Sequence, residues 1–379
     1  MAVYKLFPIK DATLYSDVPN TNTGLDQIIE ISNRNTSGGN SVTPYVSRFL
    51  TQFDQIQIND LFSTIGTSTW QANLRCFIAN ASGVAMSTTI YANPLAQDWN
   101  NGTGTYSDSP ATTDGVSWKW RTGYSGSTWI TSSWTANITG SFPSSNAGGG
   151  SWYYTSSNST APNPQTTQSF NTTTSTKDLN INVTDAVKLW NSGSISNYGL
   201  IIRLDPTIEF NPSQSTEPIF KYFSVDTHTI YPPCLEVKWD DFYWNTGSST
   251  QTLITSSHPY ISLAENPGIY YPDSVNIFRL NVRPKYPDRI YQTSSEYVNN
   301  FYLPTESYYA VKDLDTNEYV INFDTIYTKI NADSTSNYFK IFMNGLEPER
   351  YYKILIKTTV DGSTLVIDNN YYFKVINGK

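Results

Sequence analysis

The sequence predicts an all-β protein: a jelly-roll-like β-sandwich with one short helix and a long insertion, followed by an immunoglobulin-like β-sandwich. Three observations predict it. Short apolar runs alternate with polar residues at period two along most of the 379 residues, the pattern of half-buried strands. Clusters of Gly, Pro, Asn, Ser and Thr separate these runs at turn spacing. A helical period stands out in one place within the first 240 residues, the segment 179–204. The chain is too long for one ordinary domain, and the pattern divides it into residues 1–243, a linker at 244–262 and residues 263–379.

In the first sandwich, residues 12–15 form a short strand and an Asn/Thr/Gly turn follows at 20–24. Residues 28–31 are apolar and strand-like, and 33–40 are rich in turn formers. Residues 45–54 (YVSRFLTQFD) place Phe49 and Phe53 on one face and Leu50 on the other. Residues 71–79 alternate again, with Leu74, Cys76 and Ile78 sharing a face, and 90–94 lead to the turn Asp98-Trp99-Asn100-Asn101-Gly102. The segment 179–204 reads as strand, helix, turn and strand. Leu179, Ile181 and Val183 alternate, Thr184 offers an N-cap oxygen, and Asp185 sits in the first turn, where the helix dipole favours negative charge. Ala186, Val187 and Trp190 fall at helical spacing, Gly193 supplies a left-handed stop, and Leu200-Ile201-Ile202 looks like a central strand. Residues 220–225 and 235–239 close the sandwich, with Pro232-Pro233 at a strand start, where proline costs no ladder bond.

Residues 103–177 differ in character. Ser, Thr, Gly and Asn dominate, interrupted by Trp118, Trp120, Trp129, Trp134, Trp152, Tyr153 and Tyr154. A flexible linker would lack the tryptophans, and a structureless loop of this length is out of place in a compact domain. The segment therefore reads as a decorated insertion, strand-forming around 116–121 and 151–155. Its aromatics suit either the ring faces of a sugar or contact with a neighbouring subunit, or they fill a core of their own.

The second half repeats the strand pattern. Residues 246–257 read as linker, 275–282 (VNIFRLNV) alternate, and 307–312 with 318–323 form a hairpin around Asp313-Leu314-Asp315-Thr316-Asn317. Residues 338–343 and 351–359 are strands, and 364–367 with 371–376 make a terminal hairpin tipped by Asp368-Asn369-Asn370. About seven regularly spaced strands suit an immunoglobulin-like sandwich.

Composition excludes several roles. With 24 basic and 32 acidic residues the net charge is −8, which argues against nucleic acid as a partner. Only 15% of residues are charged while 15% are aromatic, a balance suited to β-rich extracellular or particle-bound proteins. The opening MAVYKLFPIKDATLY lacks the apolar run of a secretory signal, and no window approaches the roughly 18 apolar residues of a membrane span. Cys76 and Cys234 lie in strand-like runs and read as buried thiols, with a disulfide as the alternative. His228 and His258 lie near proline and polar residues without a metal-pairing histidine, and no G-x-S-x-G elbow, phosphate loop or dinucleotide fingerprint occurs. The run from Asp313 to Glu318 half-resembles a calcium loop but lacks the glycine at position six and the glutamate at twelve, so it reads as a hairpin turn. No catalytic, cofactor or metal site is expected.

An ordered series of short pieces over residues 10–240 resembles the DNRLRE family of surface-protein β-sandwich modules, which is related to a carbohydrate-binding class. The pieces are Asp11-Ala12-Thr13-Leu14-Tyr15, Asn22-Thr23-Gly24, Ser47 to Asp54, Ala72-Asn73-Leu74 and Asp98-Trp99. Val183-Thr184 with Trp190, Asn197 to Ile202, Phe223-Ser224 and Pro233 to Val237 complete it. The long insertion departs from that family's compact pattern. The whole chain also resembles virion proteins of contractile-tailed marine and cyanobacterial phages, through MAVYKLFPIKDATLY, NTGLD, IYQTSSEYVNNFYLP, SYYAVKDLDTNEYVINFD and MNGLEPERYYKI. That likeness implies a structural virion protein made in the host cytoplasm, associated with neck or tail. Its partners would be other virion proteins and symmetry-related copies of itself. A glycan-binding adhesin touching a host surface glycan is the alternative, and a glycan-cleaving enzyme the third.

Overall fold

The fold is that of a computed structural model, which describes residues 2–38, 41–85, 87–129, 148–153, 164–174, 176–209, 211, 216–247, 252–286 and 301–377. The chain clusters into two compact units. The N-terminal unit comprises Leu6–Gly66 and Gln71–Glu236, and the C-terminal unit comprises Met1–Lys5, Thr67–Trp70 and Val237–Lys379.

Strands β1 (Ala2–Leu6), β2 (Pro8–Tyr15), β3 (Ile28–Gly38) and β4 (Ser41–Phe53) open the chain, followed by helix α1 (Gln55–Ile65). Next come β5 (Trp70–Cys76), β6 (Ile78–Ser82), β7 (Thr88–Pro94), β8 (Thr166–Phe170) and β9 (Leu179–Asn182). Helix α2 (Thr184–Asn191), β10 (Leu200–Leu204), β11 (Ile219–Phe223) and β12 (Cys234–Trp239) complete this half. The larger sheet runs β6-β11-β3-β4-β10-β7-β8 with β2 also on β4, while β12, β5 and β9 lie in that order in a smaller sheet.

The long strand β4 is the spine of the larger sheet. One edge pairs with β2 and β3, and the other with β10, so that Leu50 faces both Ala12 and Ile201. Every residue of β10 is buried, as its unbroken apolar run predicts for a central strand. Alternation divides β4 between two faces, yet Phe49, Leu50 and Phe53 are all buried. Phe49 lies near Tyr222, with ring centroids 6.0 Å apart. The Leu50 face is covered by the insertion, whose Val116, Trp118, Trp129 and Trp152 pack with Leu14, Leu50 and Ile201. The insertion also supplies β8, paired with β7. Around 116–121 and 151–155, where strands are expected, only single bridges form, Trp120 with Thr128 and Leu95 with Trp152. These segments spend their backbone groups on irregular turns that seat the rings.

The expectation of one short helix needs correction, because α1 is a second. Asp54 caps it by accepting the Ile56 N–H at 2.9 Å, and Ile58, Leu61, Phe62 and Ile65 form its buried stripe. In α2 the N-cap is Val183, not Thr184. The Thr184 hydroxyl accepts the Ala72 N–H at 3.0 Å, and Asn182 Oδ1 accepts the Thr184 N–H instead. The other end is closed by Gly193 at φ +70°, with Gly193 N–H bonded to the Trp190 carbonyl and Ser194 N–H to that of Leu189. Trp190 is 2% exposed and anchors α2. Trp190→Ala is expected to cost the N-terminal unit about 3 kcal/mol, the low end for a buried aromatic, because the buried indole N–H has no partner to lose. Urea unfolding of the N-terminal transition checks this, and an unchanged midpoint would mean that the ring anchors nothing.

The C-terminal unit is a sandwich of two sheets. One holds β13 (Thr252–Leu253), β14 (Pro259–Leu263), β16 (Val275–Pro284), β17 (Phe301–Tyr302), β20 (Asn331–Ala332) and β21 (Asn337–Phe342). The other runs β15 (Ile269–Tyr270), β23 (Ser363–Val375), β22 (Tyr351–Val360), β18 (Tyr308–Asp313) and β19 (Tyr319–Ile321). Between them Tyr309 stacks on Phe339 at 4.4 Å and Phe278 meets Phe373 at 5.6 Å. Ile254, placed in a linker by sequence, is buried in this core.

The terminal hairpin is also corrected. Residues 364–367 and 371–376 belong to the single strand β23, and both pair with β22. The hairpin turn is Asp361-Gly362, both at positive φ (49° and 73°), as a two-residue turn between right-twisted strands requires. Asp368-Asn369-Asn370 is a bulge between the pairs Ile354–Tyr371 and Ile356–Ile367. Lys353 Nζ holds the bulge, 2.9 Å from Asp368 Oδ2 and 3.1 Å from Asn370 Oδ1.

Candidate functional site: a polar cleft and a lysine-tyrosine sheet face

The residues read from sequence as an interaction platform are not one surface. Trp118, Trp129 and Trp152 are at most 2% exposed, so they are core of the insertion and are corrected from the contact role. Trp120 is half-buried, its ring 5.8 Å from Tyr124 and its Nε1–H bonded to Asn20 Oδ1. Tyr153 is half-buried, its backbone N–H bonded to the Pro94 carbonyl. Trp134 and Tyr154 lie outside the described residues.

What the buried tryptophans hold is a charge pair. Arg48, from β4, is fully buried, with Nε 3.0 Å and Nη2 2.7 Å from the two oxygens of Glu209. Its Nη1 donates to the Gly149 carbonyl at 2.7 Å. The guanidinium lies between Trp118 at 5.1 Å and Trp152 at 5.2 Å, and Arg203 continues the stack between Trp152 at 4.9 Å and Tyr91 at 4.8 Å. Gly149 sits at φ +79°, and a Cβ there would come within 2.7 Å of the Trp118 ring and 2.8 Å of Arg48 Nη1, so only glycine fits. Burial pulls the Arg203 pKa down to about 10, against the pull of Glu209. Alternating rings and cations satisfy one another in the dry interior. With no access to solvent, this arrangement is scaffold.

A surface site in the same unit has ligand character. Tyr15, Asp26, Glu30, Arg34, Tyr106 and Lys221 line an open cleft of about 320 Å³. Tyr15 and Tyr106 form one wall, their rings 4.6 Å apart, and Tyr106 is 45% exposed. Glu30 is 2% exposed and bonded by Ser32 Oγ at 2.8 Å and Arg34 Nη2 at 2.5 Å, with Lys221 Nζ 3.5 Å away. Asp26 Oδ1 accepts the Tyr106 N–H at 3.0 Å, which fixes the loop that carries the ring. Burial, offset by that hydrogen bond and reinforced by Asp108, raises the Asp26 pKa. Burial, then the charges of Glu30 and Asp26, push the Tyr15 phenol up.

The C-terminal unit presents a different surface. Tyr319, Lys312, Lys353 and Tyr372 are successive cross-strand partners over β19, β18, β22 and β23, so they share one face. Tyr308 pairs with Lys357, and Tyr351 with Lys374. Lys312 lies 5.2 Å over Tyr319, and Lys357 is 5.0 Å from both Tyr308 and Phe323. On the opposite sheet, Val275 and Ile277 point outward from β16, 51% and 52% exposed.

The remaining chemical candidates resolve as structure. Asp313 accepts the Asp315 and Thr316 N–H groups and a two-pronged pair from Arg350 at 2.6 and 2.8 Å, so it builds its hairpin turn. His228 and His258 are exposed and belong to different units. Cys76 and Cys234 are buried thiols with no disulfide between them, and burial raises the Cys76 pKa. Among the described residues no helix is long and apolar enough to cross a membrane. Fold and surfaces together define an all-β protein of two sandwich units. Set against known proteins, the chain matches no family model and no curated sequence.

Proposed function

We propose that the chain is a non-enzymatic structural component of a tailed-phage particle, associated with neck or tail in multiple copies and acting through protein–protein contacts. The observation that carries this reading is the outer surface of the C-terminal sandwich. Tyr319, Tyr351 and Tyr372 are 44%, 47% and 53% exposed there, interleaved with lysines, and Val275 and Ile277 stand out from the other sheet. Tyrosine-rich patches around an apolar centre fit protein interfaces. The ordered sequence likeness to phage virion proteins supports the setting, and a surface spread over whole sheet faces suits docking on a large partner.

The test uses the paired charge reversal Lys312→Glu and Lys357→Glu. Both lysines lie over rings, so the isolated protein should keep its melting temperature. In particles, incorporation read by mass spectrometry should fall at least about tenfold, the equivalent of 1.4 kcal/mol. Wild-type protein absent from purified particles would overturn the virion reading. Undiminished incorporation of the variant would overturn the role of this face.

A further inference from the structure

We propose that the cleft between Tyr15 and Tyr106 is a saccharide site that takes a single sugar residue through one ring face and its vicinal hydroxyls. The site lies in the N-terminal unit and is independent of the sheet face assigned to particle contacts.

Three features of the cleft converge on that chemistry. The first is the wall. Tyr106 is 45% exposed with its ring against Tyr15, and aspartate holds its backbone from below, so a flat aromatic surface is presented without needing to be ordered on binding. The negative face of an aromatic ring attracts the weakly positive C–H bonds on one side of a pyranose.

The second is the mixture of polar groups. A sugar hydroxyl donates one hydrogen bond and accepts others, so adjacent hydroxyls need donors and acceptors side by side. Asp26 supplies an acceptor, while Arg34 and Lys221 supply donors. Arg34 Nε is buried without a partner, a donor left over after Nη2 is bonded to Glu30. Two carboxylates and two cations leave the lining near neutrality, which gives no net field for a phosphate or a polyanion.

The third is preorganisation. Glu30 is almost fully buried and takes hydrogen bonds from Ser32 and, at 3.3 Å, Ser47, as well as from Arg34. It pins one long cationic side chain at its base and attracts the other, so less rotamer freedom is lost on binding. The volume of about 320 Å³ lies at the small end of the roughly 300–1,000 Å³ typical of ligand clefts, enough for one small ring and open to a continuing chain.

The experiment titrates the full chain with four probes: methyl glucoside, methyl galactoside, N-acetylglucosamine and glucuronate, followed by ligand-observed NMR and calorimetry. At least one should bind with a dissociation constant of about 1 mM or tighter, near −4 kcal/mol. Tyr106→Ala and Lys221→Ala should each weaken it by about tenfold or more without moving the melting temperature, since both side chains are at the surface. Tyr106→Trp should retain binding, because it keeps the aromatic face. Failure of all four probes to bind at about 10 mM, or binding that survives both alanine substitutions, would overturn the proposal.

Discussion

Arg48→Ala is expected to destabilise the N-terminal unit by about 3–5 kcal/mol, the cost of leaving one member of a buried ion pair alone. Glu209 side-chain exposure is 2%, and the loss of Arg48 would strand its carboxylate against tryptophan rings. Water cannot readily replace the guanidinium, because Trp118 and Trp152 close on it from both sides and are fully buried. The Gly149 carbonyl would lose its donor as well. A pair of apolar replacements, Arg48→Met with Glu209→Leu, should recover most of the loss, because a buried pair is worth little more than well-packed hydrocarbon of equal volume. Urea denaturation of the single and double variants reads both numbers. If Arg48→Ala costs less than about 1 kcal/mol, the pair is not buried in solution.

The particular strands show how much of this fold is legible in sequence. Alternation locates β5, β10, β16, β18, β21 and β22 because each has one or two faces set against a core, and burial imposes its period directly. Helix α1 carries a legible signal too: Asp54 as a cap, then Ile58, Leu61, Phe62 and Ile65 at spacings of three, four and seven. It is obscured because β4 runs straight into it and Ile56 with Ile58 prolongs the strand's period-two pattern. The bulge in β23 is hidden for a related reason. Asp-Asn-Asn has turn chemistry, and only the register against β22 tells a bulge from a hairpin tip.

The site residues divide along the same line. Tryptophans among Ser, Thr and Gly read equally well as platform or core, since ring chemistry serves both. The arbiter is Arg48, 70 residues before Trp118 in the chain, whose cation the rings enclose. No local pattern links them. The cleft is less legible still, because Tyr15, Glu30, Tyr106 and Lys221 come from four separated segments with no motif of their own. The one local clue is Glu30 with Arg34, an acidic and a basic residue on a strand otherwise apolar at its start.

Stability of the N-terminal unit is expected to fall as pH rises from about 4 to about 7, through Asp11, by about 4 kcal/mol. Asp11 is 1% exposed on β2, and burial pushes its carboxyl up to about 7, with Asp226 and Asp26 adding to the shift. Oδ2 accepts the Val225 N–H at 2.7 Å, and the Ser224 hydroxyl also bonds the carboxyl, but these oppose the shift only in part. The folded pKa lies above that of the unfolded chain, 3.8, so between the two values the folded state holds a proton that the unfolded state has released. The stabilisation is therefore complete below about pH 4 and declines by about 1.4 kcal/mol per unit, levelling off above about 7, where folded Asp11 ionises as well. Carboxylates held low by partners, such as Asp313 beside Arg350 and Asp333 beside Arg279, give the opposite slope at lower pH. The comparison with Asp11→Asn isolates the effect. Asparagine keeps an oxygen for Val225 and carries no charge, so the variant should match wild type near pH 4 and be the more stable protein above pH 7. Denaturation midpoints across that range decide the matter, and parallel curves for the two proteins would mean that Asp11 ionises in the folded state as freely as in the unfolded chain.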